Sequence, residues 1–318
     1  MGVVTGVVLS YELGTNFSAF ADATGNILGP LFGYEVLSAF FLEAGFIGVM
    51  LFGWGRVGPR AHFFATLMVV VGTMISAFWI LAANSWMQTP AGYHLEGGRF
   101  LVERWIDVIL NPSTPTRFIH MVLASYVTAM FVVAGVSALH LVMDRPPALA
   151  RRAFRISIAA LAFFVPAQIF AGDMSGLVAE KYQPMKVAAM EGRWDTVRGA
   201  PLILFAIPDQ AAERNHYEVG IPNVASLILT HEFDGEVRGL KEVPPRDRPQ
   251  VFVVFWAFRI MAGIGFLILF VTMWGLYLWR AGHLDSSGWF HTTCVAMIPL
   301  GFVATLAGWI TAEAGRQP

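Results

Sequence analysis

Apolar residues run in long blocks along this chain, separated by short polar connections and by one long mixed segment. A helix needs about 20 consecutive apolar residues to cross a bilayer. Six blocks meet that length, at roughly 32–55, 61–83, 117–143, 153–172, 251–279 and 289–311. The opening "MGVVTGVVLSY" covers about half a crossing, so residues 1–12 read as a partial span. No block alternates with period two, as the strands of an outer-membrane barrel would. The pattern predicts an all-α, polytopic transmembrane helix bundle of about six full spans plus an N-terminal partial span. N-terminal membrane helices fill 1–172, a long outer loop 173–250, and C-terminal membrane helices 251–318. Within the loop, "MKVAAMEGRW" predicts a short surface helix.

Composition sharpens the class. The chain is 56% hydrophobic and 14% charged, with a mean hydropathy of +0.60, where a soluble domain carries about 25% charged residues. A formal net charge of −1 gives no footing for nucleic acid. The single cysteine, Cys294, excludes a disulfide framework and a Cys-ligated zinc, and reads as a small buried hydrophobe. No basic leader precedes the first apolar run.

Charge also predicts orientation. Arg56 and Arg60, then Arg145, Arg151, Arg152 and Arg155, and finally Arg280 occupy three connections that share one side. Positive charge places that side in the cytoplasm. The segment 84–116, the segment 173–250 and the terminal "GRQP" then lie outside.

"YEVLSAFFLEAGFIGVMLFGW", Tyr34–Trp54, holds two carboxylates and no base. Intramembrane carboxylates default to function, because burying one without a partner is costly. On an ideal helix Glu43 lies about 12 Å deeper than Glu35 and about 80° round, a broad common face but not a common site. His120, Met261 and Glu313 fall, with Glu35, in the outer half of the bundle. Each has a plain reading: a boundary histidine, a core methionine, and an ion pair between Glu313 and Arg316. A His with a Met is also an axial pair for a low-spin haem, although no Cys-x-x-Cys-His is present for covalent attachment.

The strings "GTNF", "AFFLEAGFIGVMLFGWGRVGP", "SAFWILAANSWMQTPAGY", "IPDQ", "GLKE", "FRIM" and "AEAGRQP" run in order through nearly the whole chain. Together they resemble subunit I of the cytochrome bd quinol oxidases, and the short connection from "GLKE" to "FRIM" is similar to the short-loop, cyanide-insensitive-like branch. The resemblance implies a multi-pass protein of the bacterial inner membrane. It implies oxidation of ubiquinol or menaquinol at the outer face and reduction of O2 to water, through two b-type haems and a haem d. It also implies a second large membrane subunit, and allows a small single-span one.

Site residues follow from the same resemblance. His120 and Met261 match the axial ligands of the low-spin haem b, with Arg259 near its propionates. Glu313 matches the acidic ligand of the high-spin haem b, flanked by Trp309 and Arg316, and Glu35 the carboxylate beside the high-spin pair. Glu43, His62, Ser76 and Asn84 match a polar line carrying cytoplasmic protons. Lys186 and Glu191 match the quinol-oxidising pair of the outer loop, which Asp173 opens.

Two departures accompany the match. The family begins with a helix bearing the axial histidine of a high-spin haem and continues past "GRQP", so the chain reads as truncated at both ends. As written it is expected to bind the low-spin haem better than haem d. Glu12 also stands where the family has Gln. A proton-coupled transporter would account for Glu35 and Glu43 but not for His120 with Met261, and internal inverted repeats are absent. A non-catalytic oxidase fragment is the third reading.

Overall fold

The computed structural model describes residues 11–12, 15–143 and 148–316. Most of the expected N-terminal partial span, and Arg145, lie outside them. The chain divides into two compact units, residues 1–118 and 119–318.

The first unit opens with a long helix in three parts: α1 (Ser18–Glu35), a π-helical turn (Val36–Phe40) and α2 (Phe41–Phe52). It starts well before the expected position 32. Gly25, Gly29, Pro30 and Gly33 dilute the apolar signal of that stretch, yet Pro30 is accommodated inside the helix. Helix α3 (Pro59–Gln88) returns, with Pro59 at its first turn, where a missing N–H costs nothing. A hairpin of β1 (Tyr93–Glu96) and β2 (Arg99–Val102) follows, then the short α4 (Trp105–Ile109). Gly97 and Gly98, both at positive φ, make the two-residue turn. Ile27, Leu31, Ala83, Trp86 and Val108 form the core, with Tyr93 and Phe100 packed on it.

Helix α5 (Thr114–Val142) carries the chain into the second unit, where α6 (Ala148–Tyr182), α7 (Pro184–Met190), α8 (Val224–Thr230), α9 (Val251–Arg280), α10 (Gly288–Met297) and α11 (Leu300–Ala314) follow. Phe131, Phe154, Ile158, Leu161, Phe290 and Cys294 fill its main core. Glycine allows close helix crossings: a Cβ on Gly301 would lie 2.7 Å from Thr128 Oγ1. Between α7 and α9 run β3 (Val197–Arg198), β4 (Leu202–Asp209), β5 (Arg214–Ile221) and β6 (Glu236–Val237), paired antiparallel as β3–β6 and β4–β5.

Six helical stretches among the described residues are long and apolar enough to cross a membrane, as the apolar blocks predict. The protein is a multi-pass membrane protein. Helix α6 runs on to Tyr182, so the segment expected to begin at 173 starts as helix. The "MKVAAM" helix exists as α7, but its residues Met185–Ala189 are buried, not at the surface.

Candidate functional site

In the first unit the π turn changes the relation between the two glutamates. The Phe41 N–H donates to Val36 O, five residues back, so the turn holds about one residue more than an α turn. That extra residue takes up about 100° of helical phase. The 80° offset expected for an unbroken helix is therefore largely cancelled, and both side chains face one strip of α3. Ser76 Oγ donates to Glu35 Oε1 at 2.7 Å. Gly72, one turn away, lies against Glu43: a Cβ there would sit 2.7 Å from Glu43 Cγ.

The rest of the expected polar line has other partners. His62 Nε2 donates to Met50 O at 2.9 Å, with its ring 4.4 Å from that of Trp54. Asn84 Oδ1 accepts from Arg117. Thus Ser76 joins Glu35, while His62 and Asn84 stand near opposite ends of α3.

The second unit holds the remaining candidates. Arg259, on α9, is the hub. Its Nε donates to Ile203 O at 2.9 Å, its Nη1 to Met190 O, and its Nη2 to Glu191 Oε2 at 3.1 Å. The guanidinium also lies 4.2 Å from the centre of the Phe255 ring. Both charged side chains are nearly sealed, at 11% and 7% exposed for Arg259 and Glu191. Burial pushes the Glu191 carboxyl above its ordinary range, while Arg259 and Arg193 pull it back. Burial lowers the Arg193 guanidinium, whose Nη2 donates to Pro201 O at 2.6 Å.

Local chain chemistry builds this cluster. Pro184 opens α7, and Gly192 at φ +61° ends it, leaving room for the Phe255 ring 3.0 Å from where a Cβ would be. Glu191 and Arg193 thereby flank the turn. Lys186 is buried, donates from Nζ to Gln183 Oε1 at 2.9 Å, and packs its stem on Gly315 at the end of α11. Glu313 pairs with Arg316 on that same terminus, and Trp309 is half-buried one turn earlier. Asp173, by contrast, stands exposed within α6 and does not open a loop.

His120 and Met261 lie on α5 and α9. His120 Nδ1 is buried with no hydrogen-bond partner, and so is Gln168 Oε1, whose amide nitrogen lies 3.3 Å from His120 Nε2. Glycines face both side chains. A Cβ on Gly172 would be 3.2 Å from His120 Cε1, and one on Gly308 2.9 Å from Met261 Sδ. Arg316 Nε is a further buried donor without a partner. A buried imidazole with an unused nitrogen and a thioether are the axial donor types of a low-spin haem, whereas the Arg259 guanidinium is already engaged by Ile203 O, Met190 O and Glu191. Gln168, Gln183 and Arg193 had no role from sequence. Gln183 stands inside "QPMKVAAME", while Gln168 shows itself only through its neighbour His120.

The family model described as "Cytochrome bd terminal oxidase subunit I" matches residues 1–318. The chain is 34% identical over 328 residues to "Cytochrome bd ubiquinol oxidase subunit 1" of Bacillus subtilis (strain 168), covering all of this chain and 70% of that one. It is 32% identical to "Cytochrome bd-II ubiquinol oxidase subunit 1" of Escherichia coli (strain K12), covering all of this chain and 75% of the relative. Its fold superimposes on the structure of bd oxidase from Geobacillus thermodenitrificans with a TM-score of 0.86 at 31% identity, over all of this chain and 73% of that one. The transporter reading gives way to these matches: the chain belongs to the family of cytochrome bd terminal oxidase subunit I.

Proposed function

We propose that this chain oxidises quinol and reduces O2 to water as subunit I of a cytochrome bd-type terminal oxidase. The observation that carries the reading is the buried Arg259–Glu191 pair, which ties the quinol-loop carboxylate to the helix bearing Met261.

Each residue then has a task. Glu191 accepts a proton from a quinol hydroxyl. Lys186, steadied by Gln183, donates a hydrogen bond to a quinol oxygen. His120 and Met261 would hold a low-spin haem b, which would supply electron transfer, with Arg259 on the propionate side. Glu313, flanked by Trp309 and Arg316, would hold a high-spin haem b, with Glu35 as the carboxylate beside the high-spin pair. Bound haems supply electron transfer and the oxygen-binding iron. Asp173, exposed on α6, has the weakest claim to a part in quinol chemistry.

Protons enter from the face carrying Arg56 and Arg60, taken as cytoplasmic. His62 lies in the first turn of α3 near that face. Glu43 relays inward to Ser76, whose hydroxyl is bonded to Glu35, and Asn84 continues the line toward the far end of α3. A second large membrane subunit completes the assembly, as the names of the relatives, each a subunit 1, suggest.

Glu191→Gln in the assembled oxidase tests this. Quinol oxidation should fall by about 100-fold, the lower end of a general base's contribution, with the low-spin haem spectrum intact. An unchanged rate would remove Glu191 from the reaction.

A further inference from the structure

The hairpin β4–β5 has two unlike sides. On one, Ile203 O accepts from Arg259 and Ile203 and Ala206 pack with Phe255. On the other, Leu204, Phe205, Ile207, Tyr217, Val219 and Ile221 are all at least 40% exposed. Phe205 and Val219 pair directly across the strands. A hairpin with water on that side would turn polar residues outward, and an open apolar patch of this kind marks a contact surface.

We infer that this hairpin is an interfacial membrane element, its open face lying among lipid headgroups and the adjoining acyl chains. Depth is the first argument. Helix α9 has 30 residues, about 45 Å, against about 30 Å of hydrocarbon. About 15 Å of it therefore stands in the headgroup layers or beyond. That excess is shared between the two ends of α9, and the hairpin lies along its start. Its turn meets the helix start, where the Val251 N–H donates to Gln210 Oε1 at 3.3 Å. Its base meets Arg259, about 12 Å further along.

Polarity follows that depth. Asp209, Glu213 and Arg214 cluster at the turn, and Arg248, just before α9, donates to Glu213 Oε1 at 2.6 Å. Leu202 and Ile221 pair at the base. The charged end thus sits on the aqueous side of the helix start and the apolar end on the membrane side.

Continuity with the membrane-facing surface is the third argument. Phe252, Trp256 and Ile260 recur every four residues on α9, with Phe252 and Ile260 exposed. The Phe205 ring stands edge-on to Trp256 at 5.3 Å. The apolar hairpin side prolongs the lipid-facing stripe of a span, which commits its occupant to lipid rather than water. Aromatic residues at this level suit the interface.

Nitroxide labels on Val219→Cys and, as a control, Glu232→Cys test this in the assembled oxidase reconstituted in phospholipid nanodiscs. Cys294 is buried and can remain. The ratio of collisions with lipid-soluble O2 to collisions with a water-soluble nickel chelate should be several-fold higher at 219 than at 232. Nickel access at 219 equal to that at 232 would overturn the inference, because the face would be in water. A label reached by neither reagent would overturn it too, because a protein would cover the face.

Discussion

Ser76 and Glu35, on neighbouring helices, share a hydrogen bond of 2.7 Å, and one turn along the same strip Gly72 meets Glu43. Two carboxylates eight residues apart reach a common strip because the π turn between them takes up the phase difference. Irregular turns of this kind recur at functional sites. Deleting Leu37 should remove the π turn and leave the two glutamates seven residues apart on a regular helix, about 20° apart in phase and still on the strip. Oxygen reduction should survive that deletion, whereas one alanine inserted after Phe41 should turn Glu43 about 100° off the strip and cut the rate at least tenfold. Equal activity in the insertion variant would show that the alignment is idle.

Gly72→Ala probes the same strip from the other helix. The added Cβ meets Glu43 Cγ at 2.7 Å and the Ala39 carbonyl oxygen at 3.3 Å. Displacing backbone as well as side chain should cost about 1–3 kcal/mol, measured as lowered thermal stability in detergent. A variant as stable as the parent would mean the helices separate freely there.

The Arg259–Glu191 pair is buried, so removing either partner leaves a charge or donor unmet. Arg259 also serves two carbonyl groups, Ile203 O and Met190 O. Arg259→Gln should therefore destabilise by about 3–5 kcal/mol and Glu191→Gln by less. The double variant should show clear coupling in a thermodynamic cycle. Additive losses would contradict a direct pair.

Arg193 contributes to the pH dependence of the same carboxyl. Burial raises Glu191, and Arg259 first and then Arg193 oppose that rise. An acid with a raised pKa keeps its proton to higher pH, so the proton-accepting form grows in only as pH increases. In Arg193→Gln the opposing charge is gone, the pKa climbs further, and the acid limb of quinol oxidation should move to higher pH. A limb that stays put, or moves down, would separate Arg193 from Glu191.

Much of this was legible in the chain. Long apolar blocks mark the spans because a bilayer tolerates little else, and intramembrane Glu35 and Glu43 announce themselves for the same reason. The start of the first span was not legible, since Gly25, Gly29, Pro30 and Gly33 weaken the apolar signal while neighbouring contacts keep the helix intact. The π turn has no local signature in "VLSAF". It appears only in how Glu35 and Glu43 meet α3. The β1–β2 hairpin could have been read from "LEGGR", a Gly-Gly turn between strands. The Arg259 hub could not, because Met190, Glu191 and Ile203 lie far from it along the chain and converge only in three dimensions.

His120 and Met261, as axial ligands, would anchor the electron-transfer haem. The most direct test of that ligation is the reduced-minus-oxidised spectrum of the assembled oxidase carrying His120→Ala or Met261→Ala, with protein content checked by immunoblot. Either change should abolish the low-spin haem b signal while the subunit remains in the membrane. A low-spin signal of normal position and height in both variants would overturn the assignment.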